Sequence, residues 1–272
     1  MCRRAFGILF ALAGLAIPMP AAASTVVFQE NFEDSVWVIG NQVDVAGPLS
    51  WVLYHIPTYG TATIEASQIG SGGSKSMDIN DFTIDSAYDC RIQMTSAGLN
   101  GWNSNQGVAR GTIQFDYRCL AGSNLLTHNV FIYDDAPAPD TTPTDDNLLV
   151  GIAFRPAGLF RINARNNADT ANATFDSPYY TIYTDYRFII TFDQSARNVN
   201  VEIKDGVGYS HTFYSTAASA PKVRNSPTSG FTGVRGFSIR DGTLNYLPHF
   251  QLDNFIVTEE GASEVEDWRA LD

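Results

Sequence analysis

Apolar and polar residues alternate in short runs along this 272-residue chain, and no run of useful length repeats apolar residues at helical spacing. Five segments have apolar residues at every second position, which a strand places on one face: 111–119, 149–155, 159–165, 187–193 and 198–204. Gly, Asn, Asp and Pro separate the runs. Many short strands at this spacing predict an all-β, antiparallel two-sheet sandwich or jelly roll. The two pairs 149–155/159–165 and 187–193/198–204 are each predicted to form a hairpin.

The first and last strands carry matching carboxylates. Glu30 follows the apolar residues 26–28, and Asp253 stands between Leu252 and Phe255. If the two strands lie side by side, the carboxylates meet and repel each other unless a cation lies between them. Hard oxygen ligands suit calcium, which takes roughly 6–8 of them, so Glu30 and Asp253 are candidate metal ligands. The alternative is that both are strand-end residues bonded to backbone amides or to arginine.

Two cysteines follow the N-terminal segment. The turn-forming cluster 100–107 predicts a hairpin of strands 88–97 and 109–119, which sets Cys90 opposite Cys119. Directly opposed residues have Cβ atoms roughly 4.5–5.5 Å apart, close to what a disulfide tolerates. We therefore predict a Cys90–Cys119 disulfide.

The N-terminus has the pattern of a secretory signal. Arg3 and Arg4 precede a short apolar stretch and an Ala-rich exit, which predicts a signal peptide over residues 1–23. A jelly-roll domain over 24–260 and an acidic tail over 261–272 complete the expected organisation. We expect a secreted protein, extracellular or periplasmic. The stretch 134–146, rich in Asp and Pro, is expected to be an exposed loop.

Charge excludes some classes of partner. The formal net charge is −12, and cleavage of the signal removes two arginines and no acid. Binding to nucleic acid or to an anionic membrane surface needs basic residues, so neither is expected as a partner.

Several local patterns together resemble the secreted bacterial members of the concanavalin A-like, laminin-G-like jelly-roll superfamily. They are the strand 29–33, the Gly/Ser turn leading into 72–79, the strand 113–117 and the closing strand 252–257. The resemblance implies a concanavalin A-like fold and a structural calcium between the first and last strands. By position, Glu30 and Asp253 match its carboxylates, and the backbone around residues 71–74 supplies further ligands. No Glu-x-Asp-x-x-Glu triplet of the jelly-roll glycoside hydrolases is present, so no catalytic residue is assigned.

The favoured function is noncatalytic recognition of a polysaccharide or other glycan. Aromatic rings and polar side chains on exposed faces are the candidates for ligand binding: Trp102, Tyr179, Tyr180, Arg161 and Arg165. The first alternative is a polysaccharide-degrading enzyme, with a lyase favoured over a hydrolase. Such a lyase would use His128, Tyr133, His211 or Tyr214 beside the arginines. The second alternative is a structural or adhesive extracellular protein.

Overall fold

A computed structural model describes residues 24–43, 51–54, 60–70, 73–81, 91–94, 107–120, 128–133, 145–155, 158–241 and 249–260. Only the backbone is described for 51–54, 60, 81, 91–94 and 240–241. Residues 1–23 and 261–272, predicted as signal peptide and tail, lie outside these ranges. In the part of the chain that the structure describes, no helix has the length and hydrophobicity of a membrane span.

The described residues form fifteen strands and three short 3₁₀ turns. The strands are β1 Ser24–Glu30, β2 Trp51–Tyr54, β3 Gly60–Glu65, β4 Ser76–Asp81, β5 Arg91–Met94, β6 Arg110–Cys119, β7 His128–Tyr133, β8 Leu148–Arg155, β9 Leu159–Arg165, β10 Asn172–Tyr179, β11 Asp185–Asp193, β12 Asn198–Asp205, β13 His211–Ser215, β14 Gly236–Asp241 and β15 His249–Glu260. The 3₁₀ turns are Asp145–Asn147, Val207–Tyr209 and Ala217–Ser219.

The strands make two antiparallel sheets. The eight-stranded sheet has the order β13-β12-β11-β6-β15-β4-β3, with β1 also paired to β15, and the seven-stranded sheet has the order β10-β9-β8-β7-β14-β5-β2. This is the predicted all-β jelly-roll sandwich, and the prediction is confirmed.

The first and last strands lie side by side, as the sequence predicted. Strand β1 pairs antiparallel with the second half of β15, from Ser24 opposite Glu260 to Glu30 opposite Phe255. The first half of β15 pairs with β4 instead. The carboxylates of the two terminal strands therefore meet near the point where β15 changes partner.

The core lies between the sheets and is rich in aromatic rings. On β6, Ile113, Phe115 and Tyr117 alternate inward, and Phe188 of the neighbouring β11 stacks on Phe115 with 4.8 Å between ring centroids. These four side chains are fully buried. Burial of apolar area contributes roughly 25 cal/mol per Å², so this layer of large rings stabilises the sandwich.

Both predicted hairpins that lie within the described residues are confirmed. Strand β8 pairs with β9, and β11 pairs with β12 in continuous register. The alternation that predicted them places Phe160, Ile162, Val199 and Val201 in the core.

The predicted hairpin of 88–97 with 109–119 is wrong. Strand β5 lies in the seven-stranded sheet between β14 and β2, whereas β6 lies in the other sheet between β11 and β15. The chain changes sheets between Met94 and Arg110, so the register argument for the disulfide no longer holds. Cys119 is buried at the end of β6, and Cys90 lies outside the described residues. The disulfide itself stays a prediction.

His128 is a buried titratable group in the core. Its ring stacks between Phe154 and Phe250, with centroid distances of 4.2 and 3.8 Å, and neither ring nitrogen has a hydrogen-bond partner among the described residues. Burial holds the pKa of His128 well below its usual value, so the folded protein keeps this imidazole neutral.

Replacement of His128 with phenylalanine is expected to remove part of the acid sensitivity of folding. In the wild type the unfolded chain binds a proton at His128 below about pH 6.5 and the folded chain does not. The free energy of unfolding therefore falls by up to about 1.4 kcal/mol for each pH unit by which the pH is lowered below that value. Denaturant unfolding of both proteins at several pH values measures the difference. Equal slopes below that pH would contradict the assignment.

Candidate functional site

A cluster of four carboxylates lies where β1, β6 and β15 meet. The register of β15 against β6 shifts between Asp253 and Ile256, which is a bulge, and Asn254 adopts a positive φ of 52° there. Asp253 is opposite Asp116 of β6 and is fully buried, and Glu30 at the end of β1 is 8% exposed. Glu33 completes the cluster from the segment after β1, and its charge acts on Asp253.

Glu30 and Glu33 each accept two hydrogen bonds through Oε1. Glu30 Oε1 accepts from the Phe32 backbone N–H at 2.8 Å and from the Trp37 indole at 3.1 Å. Glu33 Oε1 accepts from the backbone N–H groups of Ser74 and Lys75, both at 2.7 Å. These bonds attach the segment after β1 to the turn before β4.

Asp116 is paired with a cation. Its two oxygens accept from Arg187 Nε and Nη2 at 2.7 and 2.8 Å, and the Arg187 guanidinium lies 4.1 Å above the ring of Tyr209. The Asn254 amide also donates to Asp116, at 2.8 Å. Asp116 is thereby neutralised within the outer layer of the eight-stranded sheet.

Asp253 has no such cation among the described residues. Its hydrogen bonds come from the backbone and side chain of its neighbour Asn254, at 2.7 and 3.3 Å. Burial, together with the charges of Asp116, Glu33 and Glu30, raises the pKa of Asp253 to about 8. Burial also raises the pKa of Glu30. The structure therefore gathers more carboxyl groups here than the arginine can pair, and without a cation Asp253 is largely protonated at pH 7.

The donor set suits a hard cation but does not form a complete metal site. Asp253 and Oε2 of Glu30 retain lone pairs within the described hydrogen bonds. In the described part of the chain, no three His, Cys, Asp or Glu side chains have the spacing of a metal site. Calcium would need backbone oxygens as well, and of the predicted carbonyl donors residues 71 and 72 lie outside the described ranges.

Register also aligns polar residues of the seven-stranded sheet in two rows on one face, and Ser238 among them is fully buried. Cross-strand pairing forms one row of residues through all seven strands: Asp176, Arg161, Ala153, Asn129, Arg240, Arg91 and Tyr54. The next row on the same face is Thr174, Asn163, Gly151, Phe131, Ser238, Gln93 and Val52. We call these the arginine row and the amide row.

A low strip follows β8 across these two rows, and its floor, Gly151 and Ala153, is buried by the neighbouring side chains. In these two rows β8 contributes the small residues Gly151 and Ala153, whereas its neighbours contribute larger side chains. A Cβ atom added to Gly151 would lie 3.3 Å from the Phe131 ring and 3.6 Å from Cβ of Asn163, so these two side chains stand on either side of the glycine. We call this feature the β8 groove. Its walls offer amides, an aromatic ring and an arginine.

Arg161 is held in place on the wall of the β8 groove. Its Nε and Nη2 donate to the two oxygens of Asp176 at 2.6 and 2.7 Å. The pair is solvent-accessible, with 31% and 38% of the two side chains exposed. The planar pair is therefore fixed in orientation and open to a ligand.

The predicted ligand-binding residues differ in whether their side chains are exposed. Tyr179 lies at the end of β10, opposite Leu159, and is 73% exposed. Tyr180 is wrong as a ligand-binding residue, because it is 6% exposed and stacks on Phe160 in the core at 4.6 Å. The bulge between Asp176 and Tyr179 decides which tyrosine faces outward. Trp102 lies outside the described residues.

Arg165 is bonded within the fold, and its role in ligand binding stays a prediction. Its Nε and Nη2 donate to the side chain and backbone of Asp169, at 2.7 and 3.0 Å. Asp169 also pairs with Arg197, which donates to Asn225 in turn. Arg165 therefore belongs to a network that ties the turn after β9 to the segment after β13.

Of the side chains considered for a lyase, only Tyr214 of β13 lies close to Arg161 within the described residues: it is half-buried, and burial together with the nearby charge of Asp176, the partner of Arg161, raises the pKa of Tyr214. His128 and Tyr133 are buried, the former between two aromatic rings of the core. His211 pairs with Asp205 in the other sheet, at 2.6 Å. Neither histidine lies beside Arg161.

Comparison with known proteins agrees on the fold alone. No protein-family model and no curated protein sequence matches the chain. A structure named as a sialidase superimposes with a TM-score of 0.53 at 12% identity, over 92% of this chain and 20% of that one, so this chain spans about one fifth of its length. The fold is the concanavalin A-like jelly roll.

Two further structures match over most of both chains. One is the exoplasmic/lumenal domain of VIP36 in a Ca²⁺/Man3GlcNAc-bound form, with a TM-score of 0.48, 10% identity, and 83% of this chain and 89% of that one covered. The other is the catalytic domain of a glycoside hydrolase family 131 protein from Coprinopsis cinerea, with a TM-score of 0.46, 13% identity, and 87% and 94% covered.

Proposed function

We propose that this chain is a secreted, noncatalytic domain that binds a glycan in the β8 groove. The observation that supports the proposal is the β8 groove, where the small residues Gly151 and Ala153 lie between strands that carry Phe131, Asn163 and Arg161. Sugar hydroxyls are bonded by amide and charged side chains, and apolar sugar faces pack on aromatic rings. Tyr179 extends the same face with a further exposed ring.

Acidic polysaccharides are a second candidate ligand class, and the arginine row favours them. Arg161, Arg240 and Arg91 occupy positions in one row across the sheet, and of these Arg161 already donates through Nε and Nη2 to Asp176, which leaves Nη1 for a ligand. Guanidinium groups bind carboxylates with directed hydrogen bonds. A screen of neutral and acidic glycans distinguishes the two classes.

We further propose that a calcium ion joins the terminal strands at the carboxylate cluster, with Asp253 and Glu30 among its ligands. The support is the buried Asp253 carboxylate, which faces three other acids without a cation of its own among the described residues. A bound calcium would hold β15 to β1 and neutralise the cluster. It would lie on the eight-stranded sheet, away from the β8 groove, and would stabilise the fold.

Filling the β8 groove is expected to weaken glycan binding. Replacement of Gly151 with leucine places a side chain between Phe131 and Asn163, where even a Cβ atom makes close contact, and lowers affinity about tenfold or more. Asn163→Ala is expected to lower affinity about five- to tenfold through loss of one or two hydrogen bonds. A glycan array, followed by titration with the best ligand, measures both effects.

Asn80→Ala is the matched control, because Asn80 is a partly exposed asparagine of β4 in the other sheet. It is expected to bind as the wild type does. Unchanged binding by both groove variants would contradict the proposal. A parallel turnover assay covers the enzymatic alternative, since unsaturated products absorbing in the ultraviolet would show that the domain is a lyase.

A further inference from the structure

A separate cavity of about 420 Å³ opens on the eight-stranded sheet. It lies between the turn before β11, the 3₁₀ turn after β12 and Gly70, and its lining includes Tyr183, Val207 and the Arg118–Asp185 ion pair. We call it the Tyr183 pocket. It lies in the opposite sheet from the β8 groove, and its volume is in the range of ligand sites.

The backbone around the Tyr183 pocket is strained. Tyr183 and Tyr209 both line it and both have left-handed conformations, with φ of 59° and 58°. Non-glycine residues adopt this region at a cost and keep it only where the surrounding structure holds them. Tyr183 is held by its N–H, which donates to the Cys119 carbonyl at 2.9 Å. Residues of this kind cluster at ligand sites.

Among the described residues, the left-handed conformation of Tyr183 does not bury its side chain. Its side chain is 66% exposed, whereas Tyr209 is 6% exposed and lies under the Arg187 guanidinium. Val207, at the tip of the facing turn, is 96% exposed. An aromatic ring and an aliphatic side chain are thus presented to solvent from two walls of one cavity.

The charges at the base of the Tyr183 pocket are already satisfied. Arg118 donates to both Asp185 oxygens, to Ser67 Oγ and to the Gln68 carbonyl. Asp185 also accepts from the Gly70 backbone N–H at 2.8 Å. A charged ligand would find no free counter-charge in this ion pair, so the pocket suits an uncharged ring with polar edges.

We propose that the Tyr183 pocket is a second ligand site, which takes an uncharged sugar residue stacked on the Tyr183 ring. The site does not depend on the β8 groove, since the two lie in different sheets. The domain would then engage a glycan, or two glycan chains, from both of its faces. Two weak sites on one domain bind a polymeric glycan more tightly than either alone.

The test observes the pocket directly. The mature protein is labelled with 3-fluorotyrosine, the Tyr183 resonance is assigned with Tyr183→Phe, and methyl glycosides of glucose, mannose, galactose, xylose and N-acetylglucosamine are added in millimolar amounts. We expect a saturable shift of the Tyr183 signal with at least one of them, in the wild type and equally in Gly151→Leu. An unmoved Tyr183 signal with all five, or a shift that disappears in Gly151→Leu, would overturn the proposal.

A second variant separates binding from folding. Tyr183→Gly relieves the left-handed backbone and is expected to raise the unfolding temperature. When it is combined with Gly151→Leu, it is expected to weaken saccharide binding at least tenfold relative to Gly151→Leu alone. Tyr183→Phe keeps the ring and is expected to retain binding. A Tyr183→Gly protein that binds as well as its parent would show that the ring has no role. A Gly151→Leu protein that loses glycan binding in the β8 groove tests the β8 groove proposal and leaves the Tyr183 pocket proposal unaffected.

Discussion

In the presence of a chelator, the wild type is expected to lose about 3–4 kcal/mol of stability relative to the Asp253→Asn protein between about pH 5 and about pH 8, because the contribution of His128 is common to both proteins and cancels in this difference. The reason is the raised pKa of Asp253, about 8 in the folded protein against an ordinary value of 3.8. Between these values the folded chain holds a proton that the unfolded chain has released. Stability is therefore full below the unfolded pKa and is lost as pH rises through the folded one.

Calcium is expected to reverse this loss in the wild type only. A cation that binds the ionised Asp253 in the folded state stabilises it by mass action, and asparagine removes the charge that attracts the cation. Asp78→Asn is the control, because Asp78 is a buried aspartate of the same sheet that bonds His249 and Gln251. Thermal and denaturant unfolding at several pH values, with calcium and with chelator, measure both effects. A calcium response that survives in Asp253→Asn, or that is missing in the wild type, would remove the calcium proposal.

Replacement of Asp116 with alanine is expected to destabilise the domain by about 3–5 kcal/mol. Asp116 is fully buried and accepts two hydrogen bonds from Arg187, so its removal leaves an arginine that is 19% exposed without its partner. Asp176→Ala removes the partner of Arg161 in a pair that is 31% and 38% exposed, and is expected to cost below about 1 kcal/mol. Denaturant unfolding of the two variants gives the comparison.

The cost arises from the unpaired charge, and a double replacement tests that explanation. Asp116→Leu together with Arg187→Met removes both charges and keeps side chains of similar size, and it is expected to recover most of the stability lost in Asp116→Ala. If the double variant is as unstable as the single one, packing around Tyr209 and not the ion pair sets the cost. Equal effects of Asp116→Ala and Asp176→Ala would contradict the role of burial.

Local patterns in the sequence predicted the parts of the fold that depend on neighbouring residues. Alternation located the β8–β9 and β11–β12 hairpins, and the matching carboxylates at the two ends predicted that β1 and β15 pair. The 88–119 hairpin failed because a turn signal does not show whether the next strand pairs with its predecessor or crosses to the other sheet. The structure resolves that point by pairing β5 with β14.

The candidate sites depended on contacts between distant segments. Arg165 was assigned to a ligand, but Arg197 and Asn225 share its partner Asp169 from far along the chain. The β8 groove was missed because its two rows are defined only by register across seven strands. One signal was present in the sequence: Gly151 interrupts an apolar strand, which indicates a close approach or a gap.

The pairing of Ser24 with Glu260 has a consequence for protein engineering. The β-sandwich begins and ends at adjacent points on one border, so a short linker joins these two positions without stretching. Circular permutants, with new ends cut in a solvent-exposed turn such as that between β11 and β12, should retain the architecture. For the same reason the domain can be inserted into a single loop of a host protein.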